Sequence, residues 1–177
     1  MFKPFACLLA VAASFCAAPA MAEEIYLGAS FHGVDTPFSL ETGERGADVQ
    51  LGIRSDPITG LSAIGKPSAY LHGQASTSGQ TSVVAAGLSW KIGTRVYLRP
   101  GIGIALHNDR IETYAPNGQR LDLGSRVLFE PELALGARIT DDLAAELSWV
   151  HTSHATLLSG QNPGMDFIGA RMVLKLK

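Results

Sequence analysis

Cysteine is scarce in this chain, and its position matters more than its number. The only two cysteines, Cys7 and Cys16, lie in the N-terminal stretch, ahead of the first patterned segment. The sequence that follows them has no thiol, which excludes a disulfide framework and a zinc ion held by cysteine. We expect no metal and no cofactor.

Long apolar runs and clusters of like charge are also missing. After residue 22, no continuous apolar run reaches the ~18 residues that a transmembrane helix requires, so a helical membrane protein is not expected. Charged residues make up 17% of the chain, and the formal net charge is −2 with no run of one sign. This charge pattern gives no indication of nucleic-acid binding.

Residues 1–22 have the three parts of a secretory signal peptide. Lys3 supplies the positive start, residues 5–18 form the apolar run, and residues 20–22 make the small-residue cleavage pattern. We therefore predict a cleaved signal peptide at residues 1–22, followed by one exported domain at residues 23–177.

The rest of the chain contains segments in which apolar and polar residues alternate, a pattern typical of β-strands. The alternating segments are residues 24–33, 47–54, 67–75, 81–92, 95–107, 125–139, 143–153 and a last one from residue 165. About eight strands is the smallest even number usual for single-chain outer-membrane barrels, and the connections alternate between long and short in the later part of the chain. We predict an all-β fold, an eight-stranded antiparallel transmembrane β-barrel of the outer-membrane type.

In such a barrel, the apolar face of each strand turns toward lipid and the polar face turns inward. The charged residues that we expect inside form an ion-pair network, because charges in low dielectric must be paired. They are Arg99, Arg126, Arg138, Arg171, Glu130, Glu132 and Glu146.

The strand at residues 143–153 carries a histidine and a serine on its apolar face. By alternation, His151 and Ser153 share the face of Trp149, and Asp166 falls on the same face of the next strand. A serine nucleophile needs an adjacent base, and the base needs a third group that fixes its tautomer. A polar belt at the membrane interface is the alternative. Asp166 favours a functional set, since an acid on a lipid-facing surface is costly.

Two short motifs at this point resemble a known family. They are His151-Thr152-Ser153-His154-Ala155 and Asn162-Pro163-Gly164-Met165-Asp166. They resemble the C-terminal signature of the outer-membrane lipid A 3-O-deacylases, the PagL family. In that signature, His-x-Ser-Asn-Ala is followed by a short loop, Asn-x-Gly, an apolar residue and Glu. Outside these motifs, the resemblance is one of size and strand pattern.

The resemblance implies a serine esterase of the cell outer membrane that hydrolyses the ester-linked acyl chain at the 3-position of lipid A. Its substrate would be lipopolysaccharide, and its surroundings the outer-membrane lipids. Carried over by position, Ser153 is the nucleophile, His151 the base and Asp166 the orienting acid. Two residues depart from the signature: Asp166 replaces Glu, and His154 replaces an Asn of the oxyanion site, where an imidazole N–H would donate instead.

Two other functions fit the sequence. One is a non-enzymatic small outer-membrane barrel, structural or adhesin-like. The other is a soluble lipocalin-like carrier, in which the two faces would be reversed and His151 would line a ligand cavity. The oligomeric state is left open, with a homodimer as one expectation.

Overall fold

The structure of the chain is a computed structural model that describes most of the predicted barrel. The described residues are 22–39, 43–108, 113–114, 120–121, 123, 125–154, 157 and 164–176. The predicted signal peptide lies outside them, except for Ala22. The predicted long loops at residues 108–124 and 156–163 lie mostly outside them as well.

Eight long strands form one closed antiparallel barrel. They are β1 (Ala22–His32), β2 (Gly46–Ser55), β3 (Ser68–Ser76), β4 (Val83–Ser89), β5 (Val96–His107), β6 (Val127–Arg138), β7 (Leu143–Thr152) and β8 (Met165–Lys175). Each strand pairs with its sequence neighbours, and β1 pairs with β8 to close the ring. The predicted eight-stranded antiparallel barrel is confirmed.

The connections differ between the two ends of the barrel. At one end, β6 and β7 are joined by a tight turn at residues 139–142. The β2–β3 connection at this end contains a 3-10 helix, Thr59–Ile64, which ends at Gly65 in a left-handed conformation with φ 89°. The sequence predicted only an irregular turn there. The other end carries the long connections, including the β1–β2 loop at residues 33–45 and the β7–β8 connection.

In the described part of the chain, three short strands accompany the eight long ones. Ile92–Gly93 pairs with the start of β5, and Thr113–Tyr114 pairs with Arg120–Leu121. The strand predicted at residues 81–92 is therefore shorter than expected. It ends at Ser89, and residues 92–93 pair separately with β5.

The outer surface of the barrel is apolar and the interior is charged. Exposed outward side chains include Leu27, Phe31, Leu98, Ile102, Ile104, Leu106, Leu135, Leu147 and Met172. Buried inward side chains include Arg54, Arg99, Glu130, Glu132, Glu146 and Arg171. This is the arrangement of a barrel whose outside meets lipid, so the lipocalin-like alternative, with its reversed faces, is wrong.

Two arginines predicted to lie in the interior are exposed instead. Arg126 precedes β6, and Arg138 is the last residue of that strand. By alternation, both side chains are on the inward side of the sheet. Because they lie at the two ends of β6, they emerge at the rims of the barrel and reach water. At the rim near the β6–β7 turn, Arg138 lines a polar cavity together with Tyr97 and Asp142.

Four of the other predicted interior charges, Arg99, Arg171, Glu132 and Glu146, form the expected ion-pair network, with Glu146 at its centre. Glu130 is buried as predicted, but among the described residues it accepts a hydrogen bond from Tyr70 and pairs with no arginine. One oxygen of Glu146 accepts hydrogen bonds from Tyr97 and from Arg99 Nε, at 2.9 and 3.1 Å. The other accepts from Arg171 Nε at 2.7 Å and from Arg54 Nη2 at 3.2 Å. The three arginine side chains fill the middle of the barrel, which leaves no wide pore.

Within the described part of the chain, no helix is long and apolar enough to cross a membrane.

Candidate active site

His151 and Asp166 face each other across the β7–β8 hairpin. The two residues are direct partners in the antiparallel register, and the side chains of such a pair leave the sheet on the same side, about 5 Å apart at Cβ. Their side chains lie on the outer face of the barrel, near the end that carries the long connections. This is the placement that alternation predicted.

A hydrogen bond joins the two side chains. His151 Nδ1 lies 2.9 Å from Asp166 Oδ1. An ionised carboxylate can only accept, so the ring donates from Nδ1 and leaves the Nε2 lone pair free in the neutral tautomer. The aspartate reaches the ring although it is one methylene shorter than the glutamate of the family signature, because the two residues are direct cross-strand partners.

Asp166 accepts two further hydrogen bonds from other side chains. Trp149 Nε1 donates to Oδ1 at 2.7 Å, and the hydroxyl of Thr36 donates to Oδ2. Asp166 is completely shielded from solvent. The donors therefore fix the position of the carboxylate, and they supply the partners that a buried charge requires.

The contacts of Thr36 and Trp149 with Asp166 were not predicted from the sequence. The alternative of a polar belt at the membrane interface would place Trp149 at the level of the lipid headgroups, and the partial exposure of Trp149 on the outer face is compatible with that. Thr36 lies in a stretch that the sequence marks only as polar and glycine-containing. A contact between residues 130 positions apart has no signal in a single sequence.

Ser153 lies just beyond β7 and is partly exposed. Its backbone makes an isolated bridge with Phe129 of β6: Ser153 N donates to Phe129 O at 3.1 Å, and Phe129 N donates to Ser153 O at 2.6 Å. Within the described residues, no hydrogen bond joins the Ser153 hydroxyl to the His151 ring. Hydrogen bonds of this kind often form only when substrate is bound.

Gly164 packs against the other side of the His151 ring. It has φ 67°, which favours glycine, and a methyl group there would lie 2.9 Å from His151 Cε1 and 3.4 Å from Nε2. The absence of a side chain at Gly164 therefore leaves room for the ring. His154, the predicted oxyanion residue, is fully buried.

The β1–β2 loop covers part of this site. Val34 N donates to the backbone oxygen of Asp166 at 2.9 Å. The ring of Phe38 packs on Trp149, with a centroid distance of 5.5 Å. His151 is almost buried, with 8% of the residue exposed.

The arrangement is suited to proton transfer. A histidine with its Nδ1–H held by a carboxylate presents Nε2 as a base, and a serine two residues further along the same face is the nearby hydroxyl. Among the described residues, no group of three or more His, Cys, Asp or Glu side chains is arranged to hold a metal ion.

Comparison with solved structures identifies the fold. The barrel is similar to the crystal structure of the outer membrane enzyme PagL, with a TM-score of 0.63 and 14% identity, covering 86% of this chain and 99% of that chain. The backbone structure of the Yersinia pestis outer membrane protein Ail in a phospholipid bilayer nanodisc matches with a TM-score of 0.43 and 11% identity, over 86% of this chain and 99% of that chain. No curated protein matches the chain in sequence.

Comparison with protein families places the chain more specifically. The description of the matching family is lipid A 3-O-deacylase (PagL), and the match covers residues 46–175, which include the whole β7–β8 hairpin. None of these comparisons supports a homodimer, which stays a sequence-based prediction. Because the match spans well over half of the sequence and the barrel is of the same outer-membrane type, the chain belongs to the lipid A 3-O-deacylase (PagL) family.

Proposed function

We propose that this protein is an outer-membrane serine esterase that removes the 3-O-linked acyl chain of lipid A, with Ser153 as nucleophile, His151 as base and Asp166 as orienting acid. The observation that carries the proposal is the His151–Asp166 hydrogen bond on the lipid-facing surface, beside Ser153. Membership of the family supports the substrate class.

The first half of the reaction forms an acyl-enzyme. Ser153 Oγ attacks the ester carbonyl carbon while its proton moves to His151 Nε2, and Asp166 stabilises the imidazolium that results. In the tetrahedral intermediate, the bond between the carbonyl carbon and the sugar 3-oxygen then breaks, and this oxygen takes the proton from His151 Nε2 and leaves as a hydroxyl. The acyl chain remains esterified to Ser153.

The second half repeats these steps with water. His151 Nε2 accepts a proton from a water molecule that attacks the acyl-enzyme, and the intermediate releases a 3-hydroxy fatty acid as Ser153 regains its proton. An oxyanion forms in each half. We assign its stabilisation to a donor next to Ser153, and His154 is the candidate that the family signature suggests.

The position of the site fits a substrate that lies in the membrane. The apolar outer surface next to His151 would lie in the outer leaflet, so lipid A reaches the site from the side, within the plane of the membrane. Neither a metal nor a cofactor is needed for this chemistry. We also propose that residues 1–22 act as the cleaved signal peptide that starts export to this membrane.

Mass spectrometry of lipid A tests the proposal most directly. Lipid A would be compared between cells that express the wild-type protein and cells that express Ser153→Ala, with each protein shown by heat-modifiable gel mobility to be a folded barrel. We expect wild type to remove one 3-hydroxyacyl mass, and we expect Ser153→Ala to reduce the rate by roughly 10³-fold or more.

Ser148→Ala is the matched control. Ser148 lies on the same strand but faces the interior, and its hydroxyl has no hydrogen-bond partner among the described residues. This variant should remain active. If wild type and Ser153→Ala give identical spectra while both are folded in the outer membrane, the esterase proposal fails and the non-enzymatic barrel becomes the better reading.

A further inference from the structure

The carboxylate of Asp166 is held by side chains on two separate parts of the chain, and Ser39 of the β1–β2 loop contributes to this hold beside the three donors described next. His151 and Trp149, both on β7, bind the same oxygen, Oδ1. The other oxygen, Oδ2, binds the hydroxyl of Thr36 in the β1–β2 loop. Thr36 lies outside the stretch that matches the family, residues 46–175.

The direction of the Thr36 hydrogen bond follows from its surroundings. A hydroxyl has one proton to donate and two lone pairs that accept. Phe38 N donates to Thr36 Oγ1 at 3.0 Å, which occupies a lone pair. The hydroxyl proton is therefore free to point at Asp166, whose ionised carboxylate can only accept.

The loop that carries Thr36 is locally ordered. Ser39 N donates to Thr36 O at 3.3 Å, which closes a turn, and Ser39 Oγ donates to Val34 O at 3.3 Å. Val34 N binds the backbone of Asp166, and Phe38 packs on Trp149. The turn that carries Thr36 is therefore attached to Asp166 through Val34 and to Trp149 through Phe38, and these contacts hold Thr36 beside Asp166.

The hydrogen bond on Asp166 Oδ2 restricts the orientation of the carboxylate and, through it, the position of the His151 ring. The torsion that rotates an aspartate carboxyl group has only a broad, two-fold preference, so the side chain does not fix its own orientation. Two donors on Oδ1 define where that oxygen lies but leave the carboxylate free to swing about it. A donor on Oδ2 removes this freedom and keeps Oδ1 in line with His151 Nδ1.

We propose that Thr36 is a positioning residue of the esterase site, which orients Asp166 so that the carboxylate holds the His151 ring in its working tautomer. This inference rests on the proposed function for its catalytic consequence. Its structural content, the effect of Thr36 on the His151–Asp166 hydrogen bond, stands independently.

The test compares Thr36→Val, which keeps the shape but removes the hydroxyl, with Thr36→Ser, which keeps the hydroxyl. Purified protein in detergent would be assayed on lipid A. We expect Thr36→Val to lower kcat by roughly 10-fold with little change in KM, since it removes one hydrogen bond to a charged group, and we expect Thr36→Ser to restore most of kcat.

Thr77→Val is the matched control, because Thr77 also sits in a loop and its hydroxyl donates to Ala47 O at 2.6 Å. The same substitution there should leave kcat unchanged. A loss of equal size at Thr77 would mean that the effect at Thr36 is a general loosening of loops, and the inference would be wrong.

A second measurement does not depend on activity. In proteins labelled with ¹⁵N-histidine, the proton on His151 Nδ1 gives a low-field NMR signal, which Asp166→Asn identifies by displacing it. Thr36→Val should shift or broaden this signal, and Thr36→Ser should not. If the signal responds in this way but wild type leaves lipid A intact, the proposed function fails and the positioning role of Thr36 stands.

The opposite result is equally clear. If wild type is active, and Thr36→Val keeps both the kcat and the His151 signal of wild type, Thr36 does not position Asp166 and the inference is overturned.

Discussion

At the scale of single residues, the His151 ring is held by contacts of two different kinds. Asp166 binds its Nδ1, and Gly164 packs against Cε1 and Nε2 of the ring. The first contact sets the tautomer, and the second sets how far the ring can move toward the β7–β8 connection. In the proposed mechanism, Nε2 exchanges a proton with Ser153, so the position of this atom matters as much as its protonation.

Gly164→Ala should therefore reduce activity while the barrel still folds. The added methyl group would lie 2.9 Å from His151 Cε1, so the ring must move away from it. We expect kcat on lipid A to fall by at least about 10-fold, as misplacement of a catalytic group by about 1 Å can cost 10²-fold.

Gly79→Ala separates this effect from backbone strain. Gly79 has a similar φ of 74°, but no atom lies within 4 Å of the methyl group that would be added. Both variants should lose about 1 kcal/mol of stability from the left-handed conformation. Equal activity in the two variants would show that Gly164 does not constrain the histidine.

The residue-scale contacts divide into those that a sequence can predict and those that it cannot. Alternation places His151 and Asp166 on one face of two strands joined by a single connection, so their meeting was predictable. The bond from Trp149 was not, because a tryptophan that anchors a barrel in the interface has the same sequence pattern as one that binds a carboxylate. The contact of Thr36 with Asp166 forms only when β1 pairs with β8, and no local sequence pattern predicts that pairing.

At the scale of elements, the β1–β2 loop is anchored by a buried charged cluster at its base. His32, the last residue of β1, has Nε2 at 2.7 Å from Glu44 and Nδ1 at 2.9 Å from Asp48. Because both ring nitrogens face carboxylates, the ring donates from both, as only the protonated form can. Glu44 also accepts from the Thr81 N–H and hydroxyl, both at 3.1 Å. The cluster ties the loop to β1, to β2 and to the segment before β4.

Burial alone would raise the pKa of Glu44, but the hydrogen bonds from His32 and Thr81 hold that pKa below its ordinary value. A carboxylate whose folded pKa is lowered stabilises the fold above its unfolded pKa, and this stabilisation is lost as the pH falls through the folded pKa. The anchor is therefore complete at neutral pH and is released in acid.

Glu44→Gln should release the same anchor at neutral pH. We expect faster hydrogen exchange of the loop amides of Val34 and Phe38, since the ionic contact with His32 is gone while the strands remain paired. Asp35→Asn is the control, because the Asp35–Arg45 pair is exposed and exposed pairs contribute little. Unchanged exchange at Val34 in Glu44→Gln would contradict the anchoring role.

At the scale of the whole molecule, the barrel is polar inside and apolar outside, and the strand pattern predicted this inversion for most residues. It failed for Arg126 and Arg138, because parity specifies the side of the sheet but not the height of a residue along the barrel. The other interior charges depend on each other, because the single carboxylate of Glu146 accepts hydrogen bonds from all three of Arg54, Arg99 and Arg171.

Glu146→Gln should destabilise the whole barrel. It removes the negative charge shared by three buried arginines, and the loss of one partner of a buried pair costs about 3–5 kcal/mol. Urea unfolding of the refolded protein in lipid should show a lower midpoint. Lys175→Gln breaks the exposed Lys175–Glu23 pair and serves as the control, with an unchanged midpoint expected. Equal midpoints for Glu146→Gln and wild type would mean that the remaining carboxylates suffice.

The pairing of β1 with β8 also links the assembly of the barrel to the geometry of the candidate site. Thr36 follows the first strand, and Asp166 belongs to the last, so the two meet only when the cylinder has been sealed. In a chain that is still in transit to the membrane, Asp166 therefore lacks the contact from Thr36. If the proposed function is correct, the esterase reaches its full rate only with the final step of assembly, in the membrane that holds the lipid.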